Sequence, residues 1–339
     1  MPEFDLIRHY FTRATPGALL GVGDDAALLQ VGAGNVLAVS TDMLVSGIHF
    51  FHDADPFLLG HKTLAVNLSD MAAMGAVPRW ATLAIALPGA DEIWLEKFSA
   101  GFFSLAQQHG VELVGGDTTR GSLNLCVTIL GEVPAQQALR RGGAQIGDEI
   151  WVSGQLGDAA LALAHLQERT VLDEAAFATC AARLHQPQPR VALGLALRGI
   201  AGSAIDVSDG LLADLGHILD ASRVGAVVEF ALLPVSAALR TRLTPPNLPL
   251  SGEEPTSSPD KGRPGGVALL QHCILSGGDD YELCFTVPAA RHDEVLRIAA
   301  QLDLPLSCIG GIVAGSGCIV RGSAGETINI ADEGYDHFR

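Results

Sequence analysis

Short apolar runs alternate with longer amphipathic segments along this chain, and the pattern predicts its strands and helices. Strands are predicted at residues 36–41, 80–87, 111–114, 123–133, 149–153, 204–207, 225–230, 282–287, 306–310 and 317–320. Helices are predicted at residues 56–76, 91–110, 158–167, 174–184, 209–222 and 289–301, with another after Pro189. Asp91 is placed to cap the second helix and Gly110 to end it. Because strands and helices alternate in both halves, we predict a mixed α/β architecture.

A polar, glycine-rich stretch at residues 142–148 separates the two halves. The chain has 339 residues, which is enough for two domains of ordinary size. We therefore predict an N-terminal domain at 1–147 and a C-terminal α/β domain at 148–339. Within the second domain, residues 244–266 are rich in Pro, Gly and Ser, and this composition predicts a flexible surface loop.

Aspartate stands beside glycine, serine or threonine in six short stretches, most of them at the end of an apolar run. They are GVGDD at 21–25, STD at 40–42, NLSD at 67–70, GGD at 115–117, DVSDG at 206–210 and SGGDD at 276–280. The run at 36–41, for example, is typical of a buried strand that ends in Asp42. A single such motif is usually a turn or a helix cap. Mg²⁺ prefers oxygen ligands and shares itself with substrate phosphates, so their repetition predicts a metal–phosphate site.

Asp70 is the most informative of these aspartates. It falls within a predicted helix whose neighbouring residues are largely apolar. Asn67 and Asp70 are three residues apart and therefore share one face of that helix. A carboxylate in such surroundings is costly unless it is paired or bound to metal, which favours a functional role.

Composition and charge narrow the class of protein. Hydrophobic residues make up 48% of the chain, so a sizeable core is expected. The formal net charge of -17 should repel nucleic acid and anionic membranes, and we expect neither as a partner. It would also repel ATP unless cations such as Mg²⁺ intervene. The six cysteines include no C-x-x-C pair and most lie in apolar runs, which predicts buried thiols in a cytoplasmic enzyme.

Several familiar catalytic motifs do not occur. Of the three lysines, Lys62, Lys97 and Lys261, none follows the glycine frame of a Walker A loop, and neither an H-E-x-x-H nor a G-x-S-x-G motif is found. Arg120 and Arg141 are each a candidate phosphate contact or a solvated surface arginine. His49 is a candidate ligand or substrate contact, or a structural histidine. Tyr335, by pattern alone, is an aromatic residue that packs the C-terminal tail on the core.

Taken in order, the motifs resemble those of the thiamine-monophosphate kinase family. They are GVGDDAALL, STDMLVSGIHF, AVNLSDMAAMGA, GGDTTRG, DVSDGLLADLGHI and SGGDDYELCFTVP, and the similarity runs from about residue 4 to residue 338. Aminoimidazole ribonucleotide synthetase and selenophosphate synthetase share the superfamily's fold but not this set of motifs. Two departures stand out. The family usually has glutamate where this chain has Asp279, and residues 244–266 look like an insertion.

The resemblance implies a two-domain aminoimidazole ribonucleotide synthetase-like fold and a homodimer formed by the N-terminal domains. It implies transfer of the ATP γ-phosphoryl group to thiamine monophosphate, with several Mg²⁺ ions and no single catalytic side chain. The implied metal ligands are Asp25, Ser40, Thr41, Asp42, Asp70, Asp117, Asp206 and Asp209. The implied nucleotide contacts are Gly116, Asp117, Arg141 and Ser208. The implied contacts with thiamine monophosphate are His49, Asp279 and Tyr335.

Two alternatives remain open at this stage. One is another ATP-using enzyme of the same superfamily, such as a selenophosphate synthetase. That reaction is expected to need a reactive cysteine in an N-terminal glycine-rich loop, and no cysteine precedes Cys126. The other is a non-catalytic nucleotide or metal sensor that retains the fold, which an assay of ATP turnover would distinguish.

Overall fold

The computed structural model describes residues 2–243, 266–328 and 334. Its strands are β1 (Asn35–Val45), β2 (Val77–Leu87), β3 (Glu112–Arg120), β4 (Asn124–Pro134), β5 (Asp148–Ser153), β6 (Ser203–Val207), β7 (Gly225–Glu229), β8 (Glu282–Pro288), β9 (Leu306–Val313) and β10 (Gly317–Arg321). Its α-helices are α1 (Glu3–Leu6), α2 (Pro56–Ala73), α3 (Glu92–His109), α4 (Asp158–Leu166), α5 (Glu174–His185), α6 (Val191–Ala196), α7 (Leu211–Ser222), α8 (Ala237–Leu243), α9 (Gly266–Leu275) and α10 (His292–Leu302). The mixed α/β architecture is confirmed.

The N-terminal sheet has the strand order β1-β4-β2-β3. Its β1–β4 and β4–β2 pairs are antiparallel, whereas β2 and β3 are parallel. The helices α2 and α3 pack against each other over one face. Asp91 accepts hydrogen bonds from the backbone N–H groups of Ile93 and Trp94 at 3.0 and 3.1 Å, so its predicted capping role is confirmed. Gly110 ends α3 with a left-handed φ of 65°, also as predicted.

The second sheet has the strand order β10-β7-β9-β5-β8-β6. The chain passes from one sheet to the other between Pro134 and Asp148, and we keep the division at 147/148 as a proposal. The helix α2 contacts β1 of the first sheet, β6 of the second sheet and the helix α6. It therefore lies between the two sheets, and its polar residues can meet groups from both.

The structure corrects several details of the predicted elements. The strand β1 does not end before Asp42 but continues to Val45, and most of its side chains are at least partly exposed, not buried. The predicted helix at 289–301 begins as a short 3₁₀ turn, and α7 begins at Leu211. The helices α1, α8 and α9 were not predicted. The predicted loop 244–266 lies outside the described residues except for Gly266, which begins α9.

The cysteines are partly as predicted. None is in a disulfide, and Cys180, Cys273 and Cys284 are buried. Cys126, Cys308 and Cys318 are only half-buried, so the prediction that all are buried thiols is wrong for these residues. Within the described ranges, no helix has the length and apolar character needed to cross a membrane.

Candidate metal and phosphate site

The strand β1 brings polar side chains to α2 by simple alternation. Successive side chains of a strand point to opposite faces, so Ser40, Asp42 and the buried Leu44 share the face toward the helices. Asp70 lies near the C-terminal end of α2, and Ser40 Oγ donates a hydrogen bond to its Oδ2 at 2.5 Å. The structure therefore brings the STD and NLSD motifs together.

Asp206, near the end of the second sheet's β6, is a buried carboxylate that joins the half-buried Asp42 and Asp70. It is 6% exposed, and Ser69 Oγ on α2 donates a hydrogen bond to its Oδ2 at 2.7 Å. Asp206 therefore meets α2 one residue away from Asp70. Aspartates separated by more than a hundred residues in sequence come together here because α2 lies between the two sheets.

The pKa values show that these carboxylates disfavour one another's charge. Burial, followed by the charges of Asp70 and Asp206, raises the pKa of Asp42 to about 7. Burial and the charge of Asp70 likewise raise the pKa of Asp206 to about 7. Burial also raises the pKa of Asp70, although hydrogen bonds from Ser40 and Asp42 and the positive charge of Arg141 oppose the shift. A cation bound here would relieve this repulsion.

A cavity of about 230 Å³ opens beside the carboxylates. Ser40, Asp70, Arg141 and Asp206 line it together with small and apolar residues. Arg141 thus faces the same space as two of the aspartates and is placed to contact an anion held by metal. A larger cavity of about 510 Å³, between the N-terminal segment and α3, contains none of the predicted site residues.

Asp214 orders the loop that follows β6, and the sequence analysis did not identify it. Its Oδ2 accepts hydrogen bonds from the backbone N–H groups of Ser208 and Asp209, both at 3.0 Å. Burial and the charge of Asp206 raise its pKa to about 8. The available signal was an acidic residue in the first turn of a helix, reaching back to the preceding loop as in a capping box. Asp214 therefore holds the backbone that carries Ser208 and Asp209.

Asp279 occupies a strained turn beside that loop. Its φ is 70°, a left-handed value that is uncommon for residues other than glycine. Its backbone N–H donates to the Ser208 carbonyl at 2.9 Å. A Cβ on Gly278 would lie 2.3 Å from the same carbonyl oxygen, so glycine is required for this approach. Lys62 Nζ lies 3.0 Å from Asp279 Oδ1, and the Tyr281 hydroxyl donates to that oxygen at 3.1 Å.

Tyr281 links this turn to the aspartate cluster. Burial, and then the negative charges of Asp279, Asp42 and Asp206, raise the pKa of its phenol well above the usual value. The phenol is therefore close enough to interact electrostatically with Asp279 and with Asp42 and Asp206 of the aspartate cluster. Tyr281 thus lies between the turn that carries Asp279 and the aspartate cluster.

Thr41 and Asp117 lie on the opposite, open face of the N-terminal sheet. One row of paired residues on this face runs from Met43 through Cys126 and Ala84 to Asp117. Thr41 Oγ1 contacts Thr128 Oγ1 at 2.8 Å on the same face. Three strand spacings, about 14 Å, separate the backbones of β1 and β3. Within one chain, a single ion therefore cannot contact both Asp42 and Asp117.

The remaining predicted residues lie apart from the cluster or outside the described ranges. Asp25 is exposed in the N-terminal loop. Gly116 lies beside Asp117 on β3 with a φ of 153°, and a Cβ there would lie 1.9 Å from the Leu83 carbonyl oxygen. The Nδ1 atom of His49 accepts a hydrogen bond from the Val45 N–H at 3.0 Å, which closes the turn after β1. Tyr335 lies outside the described residues.

The donor set suits an open Mg²⁺ site better than a site in which protein ligands enclose the metal. Among the residues that the structure describes, no three His, Cys, Asp or Glu side chains converge closely enough to hold a metal by themselves. Mg²⁺ loses its waters reluctantly and usually binds through one or two carboxylates together with substrate phosphates. Asp42 and Asp70, with their raised pKa values and the adjoining cavity, provide this kind of site.

Known proteins with a similar sequence and fold form a recognised class. The family model described as AIR synthase related protein, N-terminal domain, matches residues 23–133, and the corresponding C-terminal domain matches residues 145–323. The thiamine-monophosphate kinase of Escherichia coli strain K12 is 46% identical over 342 residues, covering 99% of this chain and 98% of the relative. The chain belongs to the thiamine-monophosphate kinase family.

Solved structures agree with this assignment. The crystal structure of thiamine-monophosphate kinase from Stenotrophomonas maltophilia K279a is 50% identical, with a TM-score of 0.79, and the match covers 92% of this chain and 93% of that one. The structure of AaThiL complexed with AMPPCP and TMP is 27% identical, with a TM-score of 0.73 and coverage of 99% and 96%. The resemblance inferred from the motifs is confirmed.

Proposed function

We propose that this enzyme transfers the γ-phosphoryl group of ATP to thiamine monophosphate and releases thiamine diphosphate and ADP. Its 46% identity over nearly its full length with a thiamine-monophosphate kinase is the observation that carries this proposal. The similar AaThiL structure contains AMPPCP, an ATP analogue, together with TMP, which supports the same pair of substrates. Because ATP is the phosphoryl donor, we place the reaction in the cytoplasm.

The site can accelerate this reaction without a general base. The attacking group is a phosphate oxygen of the acceptor, and a phosphomonoester has a second pKa of about 6, so it is already ionised near neutral pH. Repulsion between two anions and in-line alignment are then the main obstacles. Arg141 faces the cavity beside Asp70 and is placed to hold a phosphate. Asp214 holds the backbone of Ser208 and Asp209, the loop that follows Asp206.

We assign Mg²⁺ to the two faces of the N-terminal sheet separately. Ser40, Asp42, Asp70, Asp206 and Asp209 would hold metal on the side toward the helices, whereas Thr41 and Asp117 would do so on the open face. Asp25 remains a proposed ligand in the N-terminal loop. When bound, Mg²⁺ neutralises charge on the transferring phosphoryl group. Gly116, Asp117, Arg141 and Ser208 are the proposed nucleotide contacts, and His49, Asp279 and Tyr335 the proposed contacts with the acceptor.

An assay of phosphoryl acceptors tests the proposed function. With ATP and MgCl₂, we expect ADP and thiamine diphosphate to form in equal amounts when thiamine monophosphate is present. Other phosphomonoesters and selenide should give little turnover. Chromatographic quantification of both products provides the measurement. Turnover with selenide alone would favour the selenophosphate synthetase alternative, and binding of ATP without any turnover would favour a sensor.

We propose that the open face of the N-terminal sheet forms a homodimer. Leu37, Val39 and Met43 on β1 are 39%, 57% and 53% exposed, and no helix among the described residues covers them. A stripe of exposed apolar side chains on one sheet face is typical of a surface that another subunit covers. Such a dimer would also enclose Thr41 and Asp117, which lie on the same face.

Val39→Asp is expected to convert this dimer to a monomer at micromolar concentration. The buried charge would be unpaired in the interface, whereas in the separated chain residue 39 faces water and the fold should be retained. Light scattering coupled to gel filtration measures the mass against the 35.3 kDa of one chain. Ile146→Asp, at another exposed apolar position (66%), is the matched control. A monomeric native enzyme, or an unchanged mass for Val39→Asp, would contradict the proposal.

A further inference from the structure

Lys62 is a buried charge in the middle of an apolar helix. It is 4% exposed on α2. A buried ammonium group is costly unless it is paired and hydrogen bonded. Its partner is Asp279, from the other end of the chain, with 3.0 Å between Lys62 Nζ and Asp279 Oδ1. The pair therefore connects the helix that carries Asp70 to the turn that carries the expected acceptor contact.

The two oxygens of the Asp279 carboxylate have different surroundings. Both Lys62 and the Tyr281 hydroxyl approach Oδ1, at 3.0 and 3.1 Å. Within the described part of the chain, no hydrogen bond reaches Oδ2, and the Asp279 side chain is 28% exposed. One oxygen is thus held by the protein while the other remains available to a ligand. The backbone is also held, because the Asp279 N–H donates to the Ser208 carbonyl.

We propose that Lys62, assisted by Tyr281, is a positioning residue for the acceptor substrate. It holds Asp279 so that Oδ2 receives a hydrogen-bond donor or positive charge of the thiamine group, which carries both an amino group and a cationic ring. This inference rests on the proposed function. Its physical basis is that a carboxylate fixed before binding loses little rotational freedom when the ligand arrives. Lys62 itself does not touch the substrate.

Steady-state kinetics with both substrates test this role. For Lys62→Met, which keeps the apolar stem but loses the charge, we expect KM for thiamine monophosphate to rise about tenfold or more. KM for ATP should change by less than about twofold, because the nucleotide contacts are elsewhere. Lys62→Arg should recover much of the loss. Lys97→Met, which removes an exposed lysine on α3, is the matched control and should behave like the native enzyme.

The double variant Lys62→Met/Asp279→Asn separates positioning from direct contact. If Lys62 acts through Asp279, adding Lys62→Met to a protein that already carries Asp279→Asn should raise KM for thiamine monophosphate only slightly. Additive effects would overturn the proposal, because they would mean that Lys62 contacts the substrate itself. A parallel rise in both KM values with a lower melting temperature would also overturn it, since that is the signature of a purely structural ion pair.

Two further measurements keep the inference distinct from the proposed function. Calorimetric titration of thiamine monophosphate in the presence of AMPPCP gives the binding constant without turnover, and Lys62→Met should weaken it about as much as it raises KM. If Lys62→Met does not fold, Tyr281→Phe removes the second donor to Oδ1, and unchanged binding in that variant would overturn the proposal. If the native enzyme neither binds nor turns over thiamine monophosphate, that result would instead contradict the proposed function.

Discussion

Asp42→Asn is expected to lower kcat by about a thousandfold while it raises the melting temperature of the metal-free protein. Asparagine fits the same space but lacks the ionised oxygen that Mg²⁺ requires. In the metal-free state, however, Asp42 is a half-buried carboxylate whose charge is opposed by Asp70 and Asp206. Removal of that charge relieves repulsion, so the variant should melt higher, by about 2–4 °C for each kcal/mol gained.

Both effects should be measured at pH 8, where Asp42 is largely ionised in the native protein. Activity is assayed with ATP, MgCl₂ and thiamine monophosphate, and melting is followed by circular dichroism in EDTA. Asp53→Asn, at an exposed aspartate away from the cluster, is the matched control and should change neither quantity. Activity near the native level in Asp42→Asn would rule out the proposed role of this residue in metal binding.

The metal-free protein is expected to lose stability as the pH rises from about 6 to 8. The pKa values of Asp42 and Asp206 are raised to about 7 and that of Asp214 to about 8. In the unfolded chain these groups titrate near pH 4. The folded protein therefore binds protons more tightly, and the associated stability is full below about pH 4 and is lost through pH 7–8. We expect a decrease of about 3–5 kcal/mol in the free energy of unfolding between pH 6 and 8.

Bound Mg²⁺ should reverse this dependence, because it favours the ionised carboxylates. Urea unfolding at several pH values, in EDTA and in MgCl₂ with AMPPCP, gives the two profiles. The stabilisation by metal and nucleotide should be larger at pH 8 than at pH 6, and Asp42→Asn should flatten the metal-free profile. A free energy of unfolding that does not change between pH 6 and 8 in EDTA would contradict the proposed cluster.

The sequence alone identified most of the secondary structure and the residues of the aspartate motifs, because both signals are local. The apolar alternation marked β2 and β4, and Asp91 and Gly110 marked the ends of α3, since capping depends on neighbours only a few residues away. Asp70 stood out because its apolar neighbours in the sequence already show that its carboxylate would be costly to bury. The family resemblance followed from the order of these motifs, which the comparisons confirmed.

Only the tertiary structure decided which of these residues meet. Strand register and alternation place Asp42 toward α2 and Asp117 on the open face, although both follow similar small-residue motifs. The exposure of β1 could not be predicted, because it depends on whether another element covers that face. Lys62 and Asp214 were missed for the same reason. Their roles arise from partners that folding brings close, and a buried charge shows its function only when the group that compensates it is known.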